Sequence, residues 1–74
     1  MIHENTDIER LFKCYYQPMF RVAKGILYDQ DECKDVVSEV FAKVFEEDII
    51  LLPETEEGYL IRAVRNRCLN IIAH

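Results

Sequence analysis

The stretch that decides the fold is CKDVVSEVFAKVF, residues 33–45. Cys33, Val36, Val37, Val40, Phe41, Val44 and Phe45 fall at offsets 0, 3, 4, 7, 8, 11 and 12. That is the repeat of a helix with one buried stripe. A strand would alternate apolar and polar residues, and this run does not. Valine is a mediocre helix former because its branched Cβ loses rotamer freedom against the preceding turn, so packing must hold this helix. Its other face repeats Glu32, Asp35, Glu39 and Glu46, relieved by Lys43 four residues after Glu39. Asp29, Asp31 and Glu32 stand in the first turn, where the positive end of the helix dipole favours acids.

Working outward, the preceding segment predicts a first helix from Thr6. Thr6-Asp7-Ile8-Glu9 has the spacing of a capping box, hydroxyl at the N-cap and carboxylate three residues on. Ile8, Leu11, Phe12, Tyr15, Met19, Val22, Ala23, Ile26 and Leu27 then recur at helical spacing, with a stop at Tyr28 to Gln30. Pro18 lacks an N–H and predicts a kink near Cys14 to Pro18. On the other side, EDIILLPET (47–55) reads as a connecting loop, with Leu52 biased to extended geometry by Pro53. Thr55 is the expected cap of a third helix, with Glu56 and Glu57 in its first turn. Leu60, Ala63, Val64, Cys68, Ile71 and Ile72 fall on one side of that helix. The expectation is one all-α domain over residues 1–74, a compact bundle of three main helices.

Composition agrees with this and excludes several functions. Half of the 74 residues are hydrophobic, too many for a disordered acidic tail, and two Gly with two Pro leave few turns for a sheet. The longest uninterrupted apolar run is Ile49 to Leu52, far short of the roughly 20 residues of a membrane span. The N-terminus has no signal-peptide layout, so the chain reads as cytoplasmic, without membrane insertion. Cys14, Cys33 and Cys68 are odd in number and widely spaced, with His3 and His74 at the chain ends. That spacing suits neither zinc nor a disulfide framework and favours free cysteines packed as small hydrophobes. Nothing pairs a nucleophile with a base or cradles a phosphate on glycines, so no enzyme and no cofactor are expected.

Charge is unevenly divided. Residues 29–57 hold eleven acids against two bases, whereas residues 58–74 hold three arginines and no acid. On the third helix Arg62, Arg65, Asn66 and Asn70 share an outward strip opposite its packing side, with Tyr59 at its start. Arginine offers a fixed donor geometry to phosphate, asparagine can reach a base edge or backbone oxygen, and tyrosine can stack an unpaired base. The competing reading is an acidic three-helix adaptor whose second helix docks a basic partner. In it the arginines only solubilise the last helix, and Arg67 pairs with an acid of helix two.

Three segments together, FKCYYQPMFRVAKGIL (12–27), DECKDVVSEVFAKVFE (31–46) and GYLIRAVRNRCLN (58–70), resemble region two of bacterial sigma factors of the extracytoplasmic-function (ECF) type. The specific parts are the D-x-x-x-E-x-F run at Asp35, Glu39 and Phe41, and the Y-L-x-x-A-x-R-N run from Tyr59 to Asn66. The resemblance implies a domain that docks on the RNA polymerase core and recognises and melts the promoter minus-ten element. The second helix would meet the basic coiled coil of the β′ clamp through Asp31, Glu32, Asp35, Ser38 and Glu39. The third helix would hold the non-template strand through Tyr59, Arg62, Arg65, Asn66 and Asn70, with the loop from Asp48 to Glu57 forming a base pocket. An anti-sigma factor is a further partner the family suggests.

The sequence departs from the family's pattern at three of these positions. Ser38 stands where Gln is usual, Tyr59 where Trp is frequent and Asn70 where Asp is common. The family's second domain, a helix-turn-helix that reads the minus-thirty-five element, is absent from these residues, and CLNIIAH (68–74) stops inside a helical pattern, as an excised domain would.

Overall fold

The computed structural model describes residues 5–73, with side chains from Ile8 onward. Three helices follow one another: α1 from Asn5 to Leu27, α2 from Gln30 to Glu46 and α3 from Glu56 to Ala73. No strand occurs among the described residues. α1 is already helical at Asn5, one residue ahead of the expected start. The side chain of Thr6, needed for the expected capping box with Glu9, lies outside the described residues, as do His3 and His74. The helix runs unbroken through Pro18. Its 23 residues span about 34 Å at about 1.5 Å each, most of the molecule's 39 Å long axis.

α1 is the spine on which both other helices pack. Met19 and Ala23 at its centre are fully buried, with Leu11 and Leu27 nearly so. Against them α2 sets Cys33, Val36, Val37, Val40, Phe41 and Val44, and α3 sets Leu60, Val64 and Cys68. Each fully buried aliphatic side chain of this size contributes about 1.5–3 kcal/mol, enough to hold valine-rich α2 against its modest propensity.

Four sequence expectations are corrected at the edge of this core. Phe45 and Ile72 are more than half exposed rather than packed. Each lies twelve residues beyond the first apolar residue of its stripe, and at about 100° per residue such an offset drifts about 120° round the helix. Phe12 is partly exposed, although its ring packs 5.1 Å from Phe41 and 4.9 Å from Tyr16. Cys14 is exposed, whereas Cys33 and Cys68 are buried as small hydrophobes.

The connections are built from backbone geometry. Tyr28 ends α1 with φ 68°, a left-handed conformation more usual for glycine. Asp29 follows in extended geometry as the N-cap of α2, its carboxylate accepting from the Asp31 N–H at 3.0 Å. α2 closes in a Schellman turn. Ile49 N–H donates to the Val44 carbonyl at 3.1 Å, Asp48 N–H to the Phe45 carbonyl at 3.3 Å, and Asp48 has φ 55°. This turn aims the loop back at the bundle. Ile49 and Leu51 then pack on the core while Ile50 and Leu52 face out, the two-residue alternation of extended chain.

The start of α3 is fixed differently from expectation. The Thr55 hydroxyl donates back to the Leu52 carbonyl at 3.3 Å instead of capping the helix. Glu56 stands in the first turn of α3, as expected, and is only 4% exposed. Arg10 donates to both of its oxygens, Nη1 to Oε2 at 3.1 Å and Nη2 to Oε1 at 3.0 Å, and the Tyr15 hydroxyl donates to Oε2 at 2.7 Å. Those donors hold the Glu56 carboxyl below its ordinary range against the opposing effect of burial. In turn, the hydrogen bond to Glu56 is the main reason Tyr15 is pushed up to about 12. One acid thus anchors α3 to the middle of α1 and sets where Tyr59, one turn later, emerges.

Candidate nucleic-acid interface

From that anchor α3 presents its solvent side past the loop and past α2. Leu60, Val64 and Cys68 go into the core, so Tyr59, Arg62, Arg65, Asn66 and Asn70 must face outward, and all five are exposed. Helical geometry does not keep them equivalent. Tyr59, Arg62, Ala63 and Asn66 line an open groove of about 780 Å³ whose other wall is the loop, through Ile49, Ile50, Leu51, Glu54 and Thr55. Tyr59, Ala63, Asn66 and Asn70 also line a second groove of about 700 Å³ against α2, where Glu39, Lys43, Glu46 and Arg67 complete the wall.

Tyr59 and Asn66 therefore stand on the crest between two grooves, with Arg62 on one side and Asn70 on the other. Arg65 is exposed but lines neither. It lies about 120° round the helix from Tyr59, at about 100° per residue. The first groove combines an aromatic ring, a guanidinium and an amide with an apolar floor from Ile49 and Leu51. Such a set can stack a flat ring, neutralise a phosphate and hydrogen-bond a polar edge.

On α2, Asp31, Glu32, Asp35, Ser38 and Glu39 are all exposed on the face turned away from the core. Asp31 and Asp35 are one turn apart, and Ser38 and Glu39 continue the same acidic surface. Glu39, however, also reaches across to α3. The Arg67 Nε–H donates to its Oε1 at 2.8 Å, with both side chains about half exposed. The carboxylate stabilises the charged guanidinium and pushes Arg67 above its ordinary range. This contact was foreseen only within the adaptor reading, and it replaces the Glu39–Lys43 relief expected along α2.

Sequence reasoning missed the Arg10–Tyr15–Glu56 cluster altogether. One signal was present: Glu56, Leu60 and Val64 are spaced by four, so the apolar stripe of α3 leads back onto a carboxylate. The 46-residue separation of Arg10 and Glu56 carried no local cue to the partner. Among the described residues no helix is long and apolar enough to cross a membrane.

Comparison with curated proteins and with solved structures gives no match. The family model for sigma-70 region 2 matches residues 11–74, from Leu11 in α1 through the loop and all of α2 and α3. The chain whose α2 exposes these acids and whose α3 exposes these arginines belongs to the sigma-70 region 2 family.

Proposed function

We propose that this chain, as an ECF-type region-two domain, docks on the β′ clamp coiled coil of RNA polymerase and captures the opened minus-ten strand of the promoter. Family membership supplies the coarser part: a non-catalytic sigma-factor domain acting in transcription initiation with polymerase core and promoter DNA. In the finer reading, Asp31, Glu32, Asp35, Ser38 and Glu39 meet the basic clamp, and Tyr59, Arg62, Asn66 and Asn70 hold the non-template strand. Arg65 reaches the backbone from the flank. The observation that carries this reading is the convergence of Tyr59, Arg62 and Asn66 on one groove with the loop.

Strand opening needs no bond chemistry. Extruding a base costs a few kcal/mol, which stacking on an aromatic ring, about 1–3 kcal/mol, and a fitted groove offset. Arg62 and Arg65, neutralising about two phosphates, give a single-strand salt slope near −1.4 at about 0.7 per phosphate, a modest binder. The net −9 of residues 29–57 lies within two or three Debye lengths, each about 8 Å at physiological salt, and repels duplex DNA. Docking on a basic clamp masks that charge, so the polymerase-bound domain binds DNA better than the free one.

On this reading the minus-thirty-five element is read by a helix-turn-helix domain separate from these 74 residues. An anti-sigma factor that covers either face holds the protein inactive in the cytoplasm. The test is fluorescence anisotropy of duplex and single-stranded promoter oligonucleotides, with and without a β′ clamp fragment. Weak duplex binding by the free chain, and a gain on adding the fragment, are expected. Tight duplex binding by the free chain contradicts the account.

A further inference from the structure

The two faces of this domain are joined at one point, the Arg67–Glu39 ion pair. Glu39 belongs to the acidic surface of α2, and Arg67 lines the α2–α3 groove beside Tyr59, Asn66 and Asn70. Taking Tyr59 as reference and about 100° per residue, Arg67 lies about 80° to one side of it and Arg62 about 60° to the other. The two arginines flank the line from Tyr59 to Asn70, nearer to it than Arg65 is. Arg67 is therefore well placed to reach a phosphate of a strand lying along that line, and Glu39 is what holds it aside.

We propose that Arg67 is a further phosphate-contacting residue, kept in reserve by Glu39 and released when a basic side chain of the docked clamp takes Glu39. The inference rests on the functional reading above and adds a residue and a route of coupling to it. Both side chains are about half exposed, and solvent-exposed pairs of this kind amount to at most about fivefold in an equilibrium constant. So weak a contact is readily exchanged. A second cation approaching Glu39 competes directly for the oxygen Arg67 uses, and an approaching phosphate competes for Arg67. Each ligand thus loosens the contact that opposes the other, which by linkage is positive coupling between docking and strand capture. The coupling cannot exceed the strength of the pair, so it is a small bias and not a gate.

The test titrates short labelled single-stranded DNA of mixed sequence with the whole chain over a range of salt. Glu39→Ala releases Arg67. Glu46→Ala removes an equal charge from the same helix and the same groove without touching that ion pair. Glu39→Ala is expected to tighten binding by up to about fivefold more than Glu46→Ala does. It should also steepen the log K against log salt slope by about 0.7, one further phosphate. Both gains should vanish in the Glu39→Ala/Arg67→Gln double variant. Equal tightening by the two alanine variants, or a gain that survives loss of Arg67, overturns the inference. If the wild-type chain binds the strand and a β′ clamp peptide strengthens that binding equally in Arg67→Gln, this inference alone fails. If no variant binds with or without the peptide, the functional reading fails and takes the inference with it.

Discussion

Replacing Arg10 by alanine tests the claim that a buried carboxylate positions α3. In the folded protein Glu56 is 4% exposed and accepts three hydrogen bonds, two of them from Arg10. Removing one partner of a fully buried ion pair costs about 3–5 kcal/mol, because the remaining charge is left desolvated. Arg10 itself is about half exposed, so water can enter its place and Tyr15 remains; about 2 kcal/mol is the expected loss at neutral pH. For a chain this short, with a total stability of about 4–11 kcal/mol, that is a large share. The pH dependence follows from the depressed Glu56 carboxyl. On acidification the unfolded state takes up its proton first, near the ordinary value of about 4.3, so the stabilisation is complete above that value. It is lost as pH falls through the lower, folded-state value. Urea unfolding followed by far-ultraviolet circular dichroism, from neutral to acid pH, measures both quantities. The cost of Arg10→Ala should shrink as the pH falls through the depressed folded-state value of Glu56, below which Glu56 is neutral in both variants. A cost under about 0.5 kcal/mol at neutral pH, or one that does not change with pH, refutes the reasoning and leaves Arg10 a surface residue.

Other consequences are simpler to check. Tyr28 is exposed and held at φ 68°, where a side chain costs about 1–2 kcal/mol. Tyr28→Gly should therefore raise the unfolding free energy, read from urea titration, by about 0.5–1 kcal/mol, the strain relieved less the entropy glycine brings to the unfolded chain. Cys14 is exposed while burial pushes the Cys33 and Cys68 thiols up. A thiol reagent should titrate one cysteine rapidly in the native protein and all three only in denaturant. Reversing charge with Asp35→Lys should slow association with the polymerase clamp, most at low salt, while leaving single-strand binding no weaker; an unchanged rate removes Asp35 from the docking face.

How far these features were legible varied with their range along the chain. The α2 stripe was readable because seven apolar residues share one helical repeat, and six of them are buried. Its seventh, Phe45, failed through angular drift, as Ile72 did on α3. The turn into the loop was not legible, since Asp48 adopts a left-handed backbone that nothing in EDIILLPET demands. The split of the IILL run into inward and outward pairs followed from that turn. For the candidate interface, the exposed strip of α3 was readable from spacing, whereas its division into two grooves required the positions of the loop and α2. Arg65 illustrates the limit: helical spacing placed it on the outward strip, but only the packed bundle shows that both grooves open away from it. The Arg67–Glu39 and Arg10–Glu56 pairs span 28 and 46 residues, and charge partners at such range are set by the fold.

The central claim is that the crest of α3 holds an opened strand while α2 holds the polymerase. It is tested most directly by promoter opening with core polymerase reconstituted with the protein, on a promoter obtained by in vitro selection. Permanganate reactivity of unpaired thymines reports opening, and co-purification with the core reports docking. Tyr59→Ala combined with Asn66→Ala should abolish the reactivity, since loss of stacking alone removes about 1–3 kcal/mol, and should leave co-purification intact. Opening that survives in this double variant, or loss of docking together with opening, would contradict the account.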